Sequence, residues 1–384
     1  MTGAGSHGRP IRRVEMRISG SYRKAGRDYG ETFGADIVRQ LAAYEPVFDL
    51  LGMGRETVAQ RAQEHVLPAT EHAFPDYIDE LRGRAEGAGV AFRHLFSLSC
   101  IEEIWSWVGP EKMRELEELA TPQNPMGNCT TFALRRGGRT LIGHNEDWSA
   151  VDLDTTMLVH DVTIPNGTRF LSLQFVGLLP WSGLNSHGLA ITANTLPATD
   201  ATVGAANAFV LRRVLESRSL EEVWDRVRVP SRGVGTYVLA ADAQGRAWAM
   251  ETSTRHATCR PVDVWTAETN HFMDETMVPL RTQPVSEDSL GRLARAKELI
   301  GAGMDRDEDI SLLARRVLTD HQAAGGRAIC GHPQSGVPKS LQMATIATTV
   351  YEPMDGRLWV TLAPPCEREP QLFELNSVGS VDSA

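Results

Sequence analysis

The sequence lacks the features that mark several common protein classes. Its 384 residues hold five cysteines, an odd number at wide spacings without a C-x-x-C pair, which argues against a disulfide framework or zinc ribbon and for a reducing cytoplasm. No apolar run of about 18 residues occurs, so we expect no transmembrane helix. The net charge is −10 with scattered Lys and Arg, which argues against nucleic acid or an anionic membrane as the main partner.

The order of sequence patterns predicts an α+β fold. Apolar residues at three- and four-residue intervals indicate helices over 23–51, 55–89, 91–108 and 111–120, and later over 207–217, 219–227, 286–300 and 305–322. The first 13 residues have no apolar core after their charges and are expected to be a flexible lead rather than a secretory signal. Between the helix blocks, β-rich runs flank turn residues at 137–138, 166–167, 186–188, 244–245 and 355–356. Hairpins build antiparallel sheets, so we predict two such sheets flanked by helix layers.

One stretch calls for a chemical explanation. In "NPMGNCTTFALRRGGRTLIGHNEDW", residues 124 to 148, Cys129 stands at the start of a predicted strand. If the peptide bond before it were broken, one residue would carry both a thiol and an α-amino group, with reference pKa values of about 8.5 and 7.7–8.0. The amine could then act as the base for its own thiol, without a catalytic histidine. The alternative is a buried structural cysteine.

Motifs along nearly the whole chain support the first interpretation. In order, they are "SGSYRKAGRDYGETFG", "FPDYIDELRGRAEGAGV", "GNCTTFAL", "IGHNEDW", "GLNSHGLAITANTL", "VLRRVLES", "ETNHF" and "AIC-GHP". The chain resembles the N-terminal-nucleophile (Ntn) hydrolases of the acyl-coenzyme A:6-aminopenicillanic acid acyltransferase (isopenicillin N acyltransferase, peptidase C45) family.

The resemblance implies a self-cleaving precursor. The cut would fall between Asn128 and Cys129 and leave a mainly helical α chain, residues 1–128, associated with a β chain, residues 129–384. Together they would form one domain, a four-layer αββα sandwich.

The same resemblance assigns roles to residues. Cys129 would be the nucleophile, Asp147 would orient its amine or proton relay, and Asn270 would donate to the oxyanion. The alternatives are structural: a strand-end aspartate and a loop asparagine. Supporting or substrate-binding candidates are Asn145, Asn194, Thr130, Thr131 and His144. Packing alone would also choose threonines in a strand, and His144 could either tune the pH response or cap a strand.

One departure from the family comes late in the chain. The family commonly reads S-I-C-R where this chain has Ala328, Ile329, Cys330 and Gly331, so the arginine is absent, with His332 one position on. This puts in doubt a contact to an anionic substrate or a supporting role of that arginine. The histidines show no metal-ligand spacing, so we expect no metal, and the resemblance implies no cofactor.

These observations predict a cytoplasmic amidohydrolase or acyltransferase that acts on a small N-acyl or aminoacyl compound through a Cys thioester, with natural-product metabolism as a compatible setting. The expected partners are a small-molecule acyl donor and the cleaved α chain. The sequence is also compatible with an acyl-CoA or an amine acceptor as a partner, and with a homo-oligomer. Water and an amine acceptor stay open as acyl acceptors, with hydrolysis the default. Two alternatives remain: a catalytically silent binding protein of the same fold, and an uncut cysteine–histidine hydrolase.

Overall fold

A computed structural model describes residues 10–108, 111–112, 115, 129–229, 232–322 and 328–375. Asn128 and most of the helix predicted over 111–120 lie outside these residues. The strands are β1 Arg13–Arg17, β2 Thr130–Arg136, β3 Arg139–Ser149, β4 Met157–Thr163, β5 Arg169–Phe175, β6 Gly183–Asn185, β7 Leu189–Leu196, β8 Gly235–Asp242, β9 Ala247–Thr252, β10 Ala257–Pro261, β11 Trp265–Glu268, β12 Met343–Glu352, β13 Arg357–Leu362 and β14 Gln371–Glu374.

The helices fall into the predicted blocks. They are α1 Tyr22–Ala43, α2 Glu45–Leu50, α3 Arg55–Arg61, α4 Leu67–Ala73, α5 Pro75–Ala88, α6 Phe92–Leu98, α7 Ile101–Ser106, α8 Asn207–Leu215, α9 Leu220–Val227, α10 Glu287–Asp305 and α11 Ile310–Leu318, with a π-helical turn at Ala62–Val66 joining α3 to α4. Within the described part of the chain, no helix combines the length and apolar character needed to cross a membrane.

The strands form two sheets. One has eight strands in the order β1-β4-β5-β6-β7-β8-β9-β10, and the other has six in the order β11-β2-β3-β12-β13-β14. The predicted antiparallel pairing holds along both sheets except at one edge, where β1 pairs with β4 in parallel. β1 follows no hairpin turn, and its sequence RVEMR alternates charged and apolar residues at a sheet edge, so it carries only a weak strand signal.

Three apolar clusters show that the sheets lie between helix layers, as predicted. Inward-facing residues of both sheets meet in one cluster, which includes Ile142, Leu171 and Tyr351. The outer face of the eight-stranded sheet packs on α8 and α9, and that of the six-stranded sheet packs on α10 and α11. The fold is therefore an αββα sandwich, with the N-terminal helices gathered in a fourth cluster.

The glycines near the start of the chain allow close helix packing. A Cβ added at Gly26 would lie 2.0 Å from the carbonyl oxygen of Glu80, and one at Gly83 would lie 2.1 Å from that of Arg23. Such separations are below contact distance, so only glycine lets α1 and α5 approach this closely. The glycine spacing of "YRKAGRDYGETFG" is therefore a helix-packing signal.

Candidate active site

The β2–β3 hairpin places Cys129 beside two acidic residues. Thr130 pairs with Asn145 across the hairpin, so Cys129, which precedes β2, faces the end of β3. Its Sγ lies 3.8 Å from Oε1 of Glu146 and 3.9 Å from the backbone carbonyl oxygen of Asp147. The positive φ angles of Gly137 and Gly138 permit the tight turn that sets this register.

The surroundings of Cys129 keep its thiol protonated. Burial raises the pKa of the Cys129 thiol well above its ordinary value, and the nearby carboxylates of Glu146 and Asp147 raise it further, while a backbone hydrogen bond at Asp147 and the charge of Arg292 act in the opposite direction. The thiolate is the reactive form of cysteine. The thiol therefore needs a nearby base before it can attack a carbonyl.

Arg292 connects the candidate residues, although no motif in the sequence singled it out. Its Nη1 donates to the carbonyl oxygen of Cys129 at 2.7 Å and to Oγ1 of Thr130 at 3.0 Å. Its Nη2 donates to Oδ1 of Asn270 at 3.1 Å, and its Nε donates to Oδ2 of Asp288 at 2.8 Å. A sequence signal exists: Arg292 and Asp288 are spaced i,i+4 on the buried face of α10.

Asn270 is thus brought to Cys129 through Arg292 rather than by direct contact. Its Oδ1 accepts from Arg292, which directs its Nδ2 to the carbonyl oxygen of Thr195 at 3.1 Å. The backbone N–H of Asn270 donates to Oγ of Ser289 at 2.9 Å. These bonds fix the amide, and its donation to an oxyanion stays a prediction.

Asp147 is held by the segment that departs from the family pattern. Thr345 Oγ1 donates to Oδ1 of Asp147, and the backbone N–H of Gly331 donates to the same hydroxyl at 2.8 Å. A Cβ added at Gly331 would make only ordinary contacts with Thr345. Gly331 therefore supports Asp147 through its backbone N–H and the hydroxyl of Thr345.

A second series of hydrogen-bonded polar side chains lies between the sheets. The hydroxyl of Thr131 donates to Oδ1 of Asn194 at 2.6 Å, so it accepts from Nδ1 of His144, also at 2.6 Å. Nε2 of His144 lies 3.1 Å from Oε2 of Glu146. His144 therefore links Thr131 to Glu146, the residue whose carboxylate lies 3.8 Å from the Cys129 sulfur, and its role stays a prediction.

Asn145 has a supporting place away from the thiol. Its Nδ2 donates to the carbonyl oxygens of Leu318 and Ile329 at 3.0 and 2.9 Å, and its Oδ1 accepts from Thr348 at 2.6 Å. It therefore ties the end of α11 and the segment before Cys330 to β3.

A buried carboxyl behind Asn270 is a further residue that no sequence motif indicated. Glu102, on α7, accepts from the hydroxyl of Thr195 and, at 2.7 Å, from Nδ2 of Asn207. Burial raises the pKa of Glu102. The N-terminal helices thus reach the same edge of the sandwich as the Cys129 hairpin.

Two groups of potential metal ligands occur in the described part of the chain. The atoms of Cys129, His144 and Glu146 lie within 4.8 Å of one another, and so do those of a second group beyond α11. The first group coincides with the candidate nucleophile, which a bound metal would block.

Comparisons with known proteins identify the family of this chain. The model of the family described as acyl-coenzyme A:6-aminopenicillanic acid acyl-transferase matches residues 134–367, a range that holds Asp147 and Asn270 and begins just after Cys129. A beta-alanyl-dopamine/carcinine hydrolase from Drosophila melanogaster is 28% identical over 237 residues, which are 58% of this chain and 58% of that protein. The chain thus matches less than two thirds of that relative's length.

Two solved structures show a more distant likeness. A mutant of the conjugated bile acid hydrolase from Clostridium perfringens has a TM-score of 0.40 and 13% identity, covering 66% of this chain and 100% of that one. A penicillin V acylase from Agrobacterium tumefaciens has a TM-score of 0.38 and 13% identity, covering 64% and 84%. On the strength of the family match, which spans more than half of its residues, the chain belongs to the acyl-coenzyme A:6-aminopenicillanic acid acyl-transferase family.

Proposed function

We propose that this chain is a self-processing cysteine amidohydrolase of that family. In the first reaction, the thiol of Cys129 attacks the carbonyl carbon of Asn128, the peptide nitrogen leaves as the new α-amino group, and water hydrolyses the resulting thioester. The products are chains 1–128 and 129–384. The observation that carries the proposal is the placement of Cys129 at the head of β2, 3.8 Å from Glu146 and beside Asp147.

The second reaction would use the group that the first one creates. The α-amino group of Cys129 takes the thiol proton, and the thiolate attacks the substrate's acyl carbon. The α-ammonium group then passes that proton to the substrate's amine, which departs. Water then hydrolyses the thioester and regenerates the thiol. The raised pKa of the thiol in the intact chain supports the need for such a base. An amine with a pKa of about 7.7–8.0 can serve, because roughly a fifth to a third of it is neutral at about pH 7.4. The Asp147 carboxylate is suited to orient the ammonium form.

We further propose that the substrate is an aminoacyl amide. The relative from Drosophila melanogaster is named for beta-alanyl-dopamine and carcinine. Glu146 supports the same class here, since its carboxylate stands beside the thiol and its side chain is 19% exposed. A negative charge at this point would attract an amine carried a few atoms from the scissile carbonyl.

Purified wild-type protein, with Cys129→Ala and Cys259→Ala as variants, tests the proposal. We expect two chains and release of dopamine from beta-alanyl-dopamine by the wild type and by Cys259→Ala, and neither event in Cys129→Ala. Active but uncut protein would refute self-processing and favour the cysteine–histidine alternative. An uncut chain without turnover on any N-acyl amide would favour the silent binding protein.

A matched substrate pair tests the aminoacyl class. Propionyl-dopamine is beta-alanyl-dopamine without its terminal amino group. We expect the wild type to have a higher kcat/KM for the beta-alanyl compound and Glu146→Gln to lose most of that preference while still hydrolysing the propionyl compound. A preference that survives Glu146→Gln unchanged would show that another group recognises the amine.

A further inference from the structure

The second group of potential metal ligands lies beyond the active site and has no role in the proposed chemistry. It consists of His321, which follows α11, Cys330 and His332 in the next segment, and Cys366, which follows β13. We propose that these four residues bind a Zn²⁺ ion.

Four of the six distances between the ligand atoms lie within about 0.4 Å of the edges of a tetrahedron around one zinc ion, and all six are below 4.8 Å. With Zn–S near 2.3 Å and Zn–N near 2.0–2.1 Å, the edges should be about 3.8 Å for S–S, about 3.6 Å for S–N and about 3.3 Å for N–N. The structure has 3.7 Å between the sulfurs of Cys330 and Cys366. Nε2 of His332 lies 3.6 Å from the Cys330 sulfur, 3.2 Å from the Cys366 sulfur and 3.1 Å from Nε2 of His321.

Neither a disulfide nor a hydrogen-bond network accounts for this arrangement as well as zinc does. A disulfide would place the sulfurs about 2.0 Å apart, and it would leave two imidazoles at the same point without a reason. A hydrogen-bond network would not need all four side chains to converge, since one proton satisfies the contact between the two Nε2 atoms. Zinc accounts for all four, because two thiolates and two neutral imidazoles form a common structural zinc set and balance its charge.

The surroundings of the ligands also suit a metal. Nδ1 of His332 lies 3.4 Å from Oε1 of Glu367, so a carboxylate faces the ring nitrogen that would not bind the ion. Such a partner fixes the tautomer of a metal-binding histidine. The backbone N–H of Cys330 donates to the carbonyl oxygen of Asp320 at 3.0 Å, and Arg295 holds the Asp320 carboxylate. Two of the four ligands, His332 and Cys330, are therefore positioned by contacts other than the ion itself.

Four protein ligands would fill a tetrahedral zinc, which leaves no position for water and makes the site structural rather than catalytic. Its location gives it an effect on the active site. Gly331 stands between two of the ligands, and its N–H donates to Thr345, which in turn donates to Asp147. The ion would thus fix the segment that supports Asp147 where the family arginine is missing.

Metal analysis of untagged, full-length protein tests the site. We expect about one zinc per chain in the wild type and less than about 0.2 in Cys366→Ala and in His321→Gln. His321 is exposed, so its substitution leaves no cavity in the core. Cys259→Ala and Cys129→Ala should keep about one zinc, because neither residue belongs to the set. X-ray absorption should show two sulfur ligands at about 2.3 Å and two nitrogen ligands at about 2.0 Å.

Three results would overturn the site. The first is a wild type that contains no zinc and binds none when titrated with zinc chloride at micromolar concentration. The second is zinc that stays in Cys366→Ala and His321→Gln but leaves Cys129→Ala, since the metal would then belong to the active-site group. The third is a Cys330–Cys366 disulfide in protein purified without air. The first and third results leave the self-cleavage proposal untouched.

Discussion

Arg292 offers the sharpest test of how the active site is held together. Its side chain is 1% exposed, and it donates to Asp288, Cys129, Thr130 and Asn270. Methionine keeps much of the stem volume but removes every donor. The buried carboxylate of Asp288 would then lose its ion pair, and breaking such a pair by removing one partner costs about 3–5 kcal/mol.

We therefore expect Arg292→Met to lower the free energy of unfolding by about 3–5 kcal/mol. Urea unfolding should be measured in a Cys129→Ala background, so that every sample is one uncut chain. Arg306→Met is the matched control, because Arg306 follows the same helix with a side chain 65% exposed and a distant partner, Glu308, at 3.9 Å. Its change should stay within about 0.5 kcal/mol.

The same substitution should slow self-cleavage. Without Arg292, the Cys129 carbonyl and the Asn270 amide lose the group that positions them, and a misplacement of about 1 Å can lower a rate by about 10²-fold. With Cys129 present, the cut chains in Arg292→Met should accumulate about 10²-fold more slowly than in Arg306→Met. If both variants unfold and cleave alike, Arg292 does not organise this site.

Three further predictions concern the site and its surroundings. Thr345→Val removes the hydroxyl bonded to Asp147 and should lower kcat roughly tenfold or more, whereas Thr319→Val, which alters an exposed hydroxyl, should leave kcat unchanged; equal kcat values would contradict the support of Asp147 by Thr345. Burial raises the pKa of Asp152 to about 8, so its neutral form stabilises the fold fully below pH about 4, and this stability is lost as the pH rises through about 8. Between pH 6 and 9, the Tm of Asp152→Asn should therefore fall less than the Tm of the wild type or of Asp154→Asn, which changes an exposed residue. Parallel curves of Tm against pH would refute this. Burial and then the Glu146 carboxylate raise the thiol pKa of Cys129, so Glu146→Gln should speed its alkylation by iodoacetamide at pH 8, as followed by peptide mass spectrometry, and an unchanged rate would contradict that influence.

Most of the fold could be predicted because turns, hairpins and amphipathic helices are indicated by residues close together in the sequence. The turn at Gly137–Gly138 requires positive φ at both positions, so a glycine pair between two β-rich runs indicates a hairpin. β1 and β11 lack this signal. β1 pairs in parallel with a strand more than 140 residues away, and the four residues of β11 join the edge of the sheet beside β2. Their pairing depends on the sandwich that is built around them.

The sequence indicated which candidate residues share one hairpin, and their roles stay predictions. The β2–β3 register, which the turn already indicates, brings the Cys129 sulfur to 3.9 Å from the backbone carbonyl oxygen of Asp147. Arg292 comes from a helix that looks amphipathic in sequence, and its burial shows only when α10 packs on the six-stranded sheet. The proposed zinc ligands also depend on tertiary packing. The expectation of no metal rested on the spacing of residues along the chain, whereas His321 and Cys366 come together only in the folded protein.

The most direct test of self-cleavage and of the acyl-enzyme is to measure the mass of the polypeptide that begins at Cys129. Active protein should be mixed briefly with an N-acyl amide, quenched in acid and separated under denaturing conditions. We predict fragments 1–128 and 129–384, with the acyl group added to the second fragment and absent after Cys129→Ala. An active preparation that remains one uncut chain of 384 residues would contradict the proposed chemistry.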